Sequence, residues 1–226
     1  MRLLTYIQTR HQISRRNFVA LVKQWKISVN GKRIDAYTQE VVDGDKINIS
    51  SPNFTINETI QEQKQESILI VFNKPVGCVA SKFDPHNKTI YDILPPEYHN
   101  YYYIWRLDKN SHGLLLLTND PGLVNEYEHP THGIEKEYIV ELDMELDAKD
   151  IQRVLSGVKD EDEILRALKV TKHNKKYHYN VILNEWKKRH IRRMFSTIWY
   201  RVLDLERICE GKYSLGDIKV WEWKIV

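Results

Sequence analysis

The chain has 226 residues, 42% of them hydrophobic and 29% charged, with a formal net charge of +3 and two cysteines. That length and composition suit two modest domains with cores of their own and argue against extensive disorder. The longest aliphatic run, Leu114 to Leu117, is far too short to cross a bilayer, and Cys78 and Cys209 form no Cys-x-x-Cys pair, so neither a membrane span nor a cysteine zinc site is expected.

The N-terminus turns polar within a few residues, without the apolar core of a signal peptide. Ser14 reads as the N-cap of a helix running through Lys26, with Phe18, Leu21, Val22 and Trp25 at helical spacing. Ile27 to Ile34 reads as a hairpin, because Asn30-Gly31 supplies the two positive-φ positions of a type I′ turn. Val41 to Ile49 is a second turn and strand, which completes a compact unit over residues 1–50. Residues 51–67 are polar and rich in Gln, Glu, Asn and Ser, the composition of a linker. The buried-type strand Ile68 to Phe72 then opens a second domain over residues 68–226. Short strands are expected around 113–118, 136–142, 164–171, 177–184 and 202–209, and helices near 120–128, 147–156 and 188–198. Strands outnumber helices and no regular βαβ alternation occurs, which predicts an α+β fold on a mixed, largely antiparallel sheet with flanking helices.

Charge is unevenly distributed. Residues 1–33 hold eight Lys and Arg (Arg2, Arg10, Arg15, Arg16, Lys23, Lys26, Lys32, Arg33) and no acid. Residues 171–201 hold nine basic residues against Glu185 alone, and residues 141–163 hold nine acids against three bases. Two basic segments flanking an acidic one imply a cationic face, and RNA is the natural partner for it.

The most informative run is Arg106-Leu107-Asp108-Lys109-Asn110-Ser111-His112-Gly113 followed by four leucines. A carboxylate stands at the mouth of a rigid apolar strand, where the scaffold fixes its position. A solvated aspartate is the commoner fate of any one such residue, but the run as a whole resembles the catalytic segment of pseudouridine synthases, in particular the RsuA-like group that modifies ribosomal RNA. Further segments match in family order: Asn73-Lys74-Pro75-Val76-Gly77, His129-Pro130 with Gly133 to Tyr138, His190-Ile191-Arg192-Arg193-Met194-Phe195, and the tail from Arg207 through Gly216-Asp217 to Trp223. Several motifs in order are more specific than any one. Trp105, Glu185-Trp186-Lys187 and Val220-Trp221 depart from the usual pattern. Residues 1–50 resemble the alpha-L RNA-binding domain through Ser14-Arg15-Arg16, Val29-Asn30-Gly31-Lys32 and Asp43-Gly44-Asp45.

The resemblance implies conversion of uridine to pseudouridine: the N-glycosidic bond breaks, the uracil turns, and the bond re-forms through carbon 5. This is redox-neutral and needs no cofactor. Asp108 is implied as the essential carboxylate, adding covalently or acting as a base. Arg192 is implied as the arginine that pairs with it, and Tyr138 as the residue packed on the target base. Arg106 is implied to fill the gap left when that base is flipped out of the RNA. Arg15, Arg16, Lys23, Lys26, Lys32 and Arg33 of the first unit, with Arg189 and Arg193 of the basic helix, are the further RNA-binding candidates. His129 and His132 suggest a structural or RNA-contacting role, and no metal site is expected. The implied partner is ribosomal RNA or an assembling ribosomal subunit, and the implied protein is a cytoplasmic monomer. Two alternatives remain: a non-catalytic RNA-binding or ribosome-assembly protein, and a pseudouridine synthase acting on transfer RNA.

Overall fold

The computed structural model describes residues 1–11, 13–61 and 66–226. The chain divides into two compact units, Met1–Ser67 with Asn119–Gly122, and Ile68–Thr118 with Leu123–Val226.

In the first unit, helices α1 (Leu3–His11) and α2 (Arg15–Lys23) precede strands β1 (Ile27–Val29), β2 (Lys32–Arg33), β3 (Lys46–Ser50) and β4 (Thr55–Thr59), which form a sheet of order β2-β1-β3-β4. Leu3, Ile7, Phe18, Val22, Ile27, Ile47, Ile49 and Ile60 make its core. Ser14 caps α2 by accepting from the Asn17 N–H at 3.2 Å. The helix ends at Lys23, so Lys26 lies past its last turn. Asn30 and Gly31 both take positive φ, as the β1–β2 turn requires.

Residues 51–67 are not simply a linker. Thr55–Thr59 pairs antiparallel with β3 from Lys46↔Thr59 to Ser50↔Thr55, and Ile60 is buried. Composition hid this strand because only Ile56 of its half-buried positions is apolar. The other, Glu58, meets the His11 ring at 2.6 Å and the Arg10 guanidinium at 3.6 Å. Residues 62–65 of the expected linker lie outside the described residues.

In the second unit, β5 (Leu69–Lys74), β6 (Tyr102–Ile104), β7 (His112–Thr118), α3 (Pro121–Glu128), β8 (Lys136–Leu142), α4 (Ala148–Ser156), β9 (Val158–Asp160), β10 (Glu163–Leu165), β11 (Lys169–Lys172), β12 (His178–Leu183), α5 (His190–Thr197), β13 (Val202–Glu210), β14 (Tyr213–Ser214) and β15 (Trp223–Ile225) follow in order. The main sheet runs β11-β12-β8-β13-β7-β5-β15, with β6 on β7 and β14 on β13. Its pairs are antiparallel except β13 with β7, which gives the mixed, largely antiparallel α+β architecture that the pattern predicts. The strand expected over 164–171 is two: β10 closes a hairpin with β9, and β11 joins the edge of the main sheet.

The leucine run is buried on both faces. Leu115 and Leu117 pack with Ile70 and Phe72 in one core, while Leu114 and Leu116 pack with Leu69 and Val71 in another. Covering both faces explains why β5 and β7 read as unbroken apolar runs rather than alternating ones. Among the described residues no helix is long and apolar enough to cross a membrane.

Candidate active site

The site is built on the turn that feeds β7. The Ser111 N–H bonds the Asp108 carbonyl at 3.1 Å, closing a turn over residues 108–111. Lys74, at the end of β5, is fully buried, and its Nζ donates to the carbonyls of Pro75 (3.0 Å), Asp108 (3.1 Å) and Ser111 (2.7 Å). Three acceptors match the three donors of an ammonium. Burial pushes that ammonium down to about 8. The Gly77 N–H also bonds the Lys109 carbonyl at 2.8 Å, so two segments far apart in sequence are joined as one structure.

Register then brings the partners in. Tyr138 of β8 pairs with Arg207 of β13, and Arg207 pairs with Gly113 of β7. At Gly113 φ is +96°, and a Cβ there would lie 2.3 Å from the Arg207 carbonyl oxygen, so only glycine lets β7 and β13 approach. The row therefore sets Tyr138 close to the turn that carries Asp108.

Asp108 is half-buried and lines a cavity with Arg106, Tyr138, Arg189, Arg192 and Leu205. Leu107 is buried and Arg106 exposed. Burial raises the Tyr138 phenol, which also lies beside Arg207. Below it is an ionic cluster absent from the sequence-based expectations: Arg207 Nη2 is 3.1 Å from Glu210 Oε2, both side chains almost wholly buried. Arg207 Nε donates to the Leu114 carbonyl at 2.8 Å. Burial raises Glu210 to about 7 and lowers the neighbouring Lys136 to about 8.

The structure gives two arginines of the basic helix definite partners. Arg192 makes no ion pair with Asp108. Its Nη2 donates to the Asn110 carbonyl at 2.7 Å and its Nη1 to the Val202 carbonyl at 3.0 Å, so it binds the backbone of the Asp108 turn from the helix side. Arg193 is held against the β9–β10 hairpin by Asp160 at 2.5 Å and Glu163 at 2.7 Å. Periodicity could not show this, since those acids come from a different element. Arg189 is exposed at the start of α5. With Arg192, Arg201 and the exposed Trp199 it lines a groove beside the Asp108 cavity.

In the first unit Arg15, Arg16, Lys23, Lys26, Lys32 and Arg33 are all exposed, and none makes an ion pair among the described residues. The site residues that sequence reasoning left without a role are Lys74, Arg207, Glu210 and Trp186. Lys74 carried a signal, a cation ending an otherwise apolar strand just before a proline. Among the described residues no group of three or more His, Cys, Asp or Glu side chains is arranged to hold a metal ion.

The family described as RNA pseudouridylate synthase matches residues 68–197. The dual-specificity RNA pseudouridine synthase RluF of Salmonella typhi is 32% identical over 223 residues, 99% of this chain and 74% of that protein. The ribosomal large subunit pseudouridine synthase B of Buchnera aphidicola subsp. Acyrthosiphon pisum is 32% identical over 222 residues, 93% of this chain and 86% of that protein. A solved structure described as a pseudouridylate synthase superposes with a TM-score of 0.69 at 23% identity, covering 100% of this chain and 96% of that one, a likeness of fold.

Proposed function

The chain belongs to the RNA pseudouridylate synthase family, and we propose that it isomerises uridine to pseudouridine in ribosomal RNA, with Asp108 as the essential carboxylate. The observation that carries this assignment is the single cavity that gathers Asp108, Tyr138, Arg106 and Arg192 at the end of a rigid strand. The substrate class is supported by the names of the relatives, one of which acts on the large ribosomal subunit.

The reaction is balanced within the substrate. The bond from the ribose anomeric carbon to N1 of uracil breaks, a bond from the same carbon to carbon 5 forms, the proton on carbon 5 leaves, and N1 gains one. Asp108 acts either as nucleophile or as base in that sequence. Tyr138 offers a ring against which the uracil can rest while it turns. Arg192 acts as a positioning residue through the Asn110 carbonyl. The target must leave the RNA stack to reach Asp108, and Arg106, exposed at the mouth, is placed to occupy the space it leaves.

The first unit serves as an RNA-docking module of the alpha-L type, working as part of a cytoplasmic monomer. Its exposed cations on α2 and around the β1–β2 hairpin support that role. Purified protein incubated with unmodified transcripts of both ribosomal RNAs and of transfer RNAs, followed by pseudouridine mapping, tests the proposal. New pseudouridine in a ribosomal transcript is expected. Modification of transfer RNA alone would overturn the substrate assignment, and modification of none would overturn the activity.

A further inference from the structure

Next to the Asp108 cavity lies a second one, of about 580 Å³, lined by Tyr103, Trp105, Trp186, Glu128 and His129. The two share Arg106, Glu185 and Trp186 as a common wall. Trp105 and Trp186 both line it, with ring centroids 6.2 Å apart and planes tilted by 38°. Trp105 is held in an uncommon backbone conformation, φ 46°, that a bulky residue adopts only when its surroundings fix it. Its N–H donates to Glu128 at 3.0 Å, its indole N–H donates to the Tyr127 carbonyl at 2.7 Å, and the Lys136 ammonium sits 3.9 Å from its ring centroid. Trp186 is 52% exposed. A fixed indole and an exposed one thus bound a cleft of the size that takes a small planar ligand.

We propose that this cleft is a second nucleobase site, which takes an unstacked base adjoining the target uridine and stacks it on Trp186 and Trp105. The inference rests on the RNA substrate proposed above. A base suits the cleft because every base has a π-face for the indoles, whereas the ionic groups on its wall, Arg106 with Glu128 and Glu185, are of mixed sign, and Glu185 is itself paired with Lys187 at 3.1 Å. It is a neighbour of the target because the shared wall leaves only Arg106, Glu185 and Trp186 between the two cavities. The cleft thus makes the nucleotide beside the target part of what the protein selects.

The protein labelled with 5-fluorotryptophan, its fluorine resonances assigned through the variants Trp105→Phe and Trp186→Phe, is titrated with tetra-adenylate RNA and separately with pyrophosphate. The Trp105 and Trp186 resonances should move with tetra-adenylate and not with pyrophosphate. No movement with tetra-adenylate, or equal movement with pyrophosphate, overturns the proposal. With an RNA that the protein isomerises, an abasic nucleotide on one side of the target should lower kcat/KM on the order of tenfold, the loss expected when one stacked base is removed. Trp186→Ala should cause a similar loss, Trp186→Phe should retain most activity, and the abasic RNA should cost Trp186→Ala little more. Fully additive losses overturn the proposal. Isomerisation without the indole shifts leaves the activity standing and removes the base site. Indole shifts in a protein that isomerises no RNA leave the base site and remove the activity.

Discussion

Lys74 Nζ donates to the main-chain carbonyl of Asp108 at 3.1 Å, so the cation that ends strand β5 fixes the backbone of the proposed reactive carboxylate. Replacing it by methionine keeps the apolar stem but leaves the Pro75, Asp108 and Ser111 carbonyls without that donor. Lys74→Met should destabilise the protein by about 2–4 kcal/mol, the cost of stranding buried acceptors. The single-turnover rate at saturating enzyme should fall roughly 10- to 100-fold, because a small displacement of a reacting group is expensive. RNA affinity should stay within about twofold, since Lys74 does not reach the surface. An unchanged rate in a folded variant would mean that the turn is held by other contacts.

The close approach at Gly113 can be separated from its dihedral angle. Gly113→Ala must push against the Arg207 backbone, and it should cost about 3 kcal/mol or more in urea unfolding. Gly77 also has a positive φ, +89°, but a Cβ there meets nothing within 4 Å. Gly77→Ala should therefore cost only about 1 kcal/mol. Equal costs would show that β7 and β13 do not constrain Gly113.

Much of this architecture is legible in the sequence because it rests on local signals. Strand β8 was readable from its alternation, the β1–β2 hairpin from Asn30-Gly31, and α2 from its apolar spacing and its Ser14 cap. Residues 55–59 were hidden because the inward Glu58 gains its partners from α1, which a window along the chain cannot see. The site divides in the same way. Asp108, Tyr138 and Arg106 line one cavity and each lies in a motif, but the Arg207–Glu210 pair needs the register between β8, β13 and β7. The fates of Arg192 and Arg193 likewise depend on which carbonyls and carboxylates the tertiary fold presents.

His190 gives the fold a pH dependence of definite sign. Burial pushes its imidazole down to about 4, while in the unfolded chain it titrates near its ordinary value of about 6.5. Between these values the unfolded state binds the extra proton, so stability falls as pH drops from about 6.5 towards 4. The full shift corresponds to roughly 3 kcal/mol. His190→Leu removes this dependence. Denaturant unfolding from pH 7.5 to 5 should give a shallower decline for the variant below pH 6.5 and parallel curves above it. Parallel curves throughout would show that His190 does not stay neutral in the fold.

Arg189 and Arg193 lie on the same basic helix and should behave oppositely. Arg189 is exposed and lines the groove with Arg201 and Trp199, so Arg189→Ala should weaken RNA binding and lower the slope of log affinity against log salt by roughly 0.7 to 0.9. Arg193 is held by Asp160 and Glu163, so Arg193→Ala should leave affinity and slope alone while costing about 1 kcal/mol of stability. A binding series over salt concentration, with unfolding curves for each variant, checks both. A lowered salt slope for Arg193→Ala would contradict the structural role given to it.

The most direct measurement is pseudouridine formation by Asp108→Asn under single-turnover conditions, on the ribosomal transcript that the wild type modifies. Asparagine has nearly the shape of aspartate but can neither accept a proton usefully nor attack carbon. The Asp108 carbonyl that Lys74 holds is untouched. The variant should bind RNA with nearly the wild-type affinity and form no measurable pseudouridine. Pseudouridine formation by Asp108→Asn at a rate within tenfold of the wild type would contradict the central claim that the Asp108 carboxylate carries the chemistry.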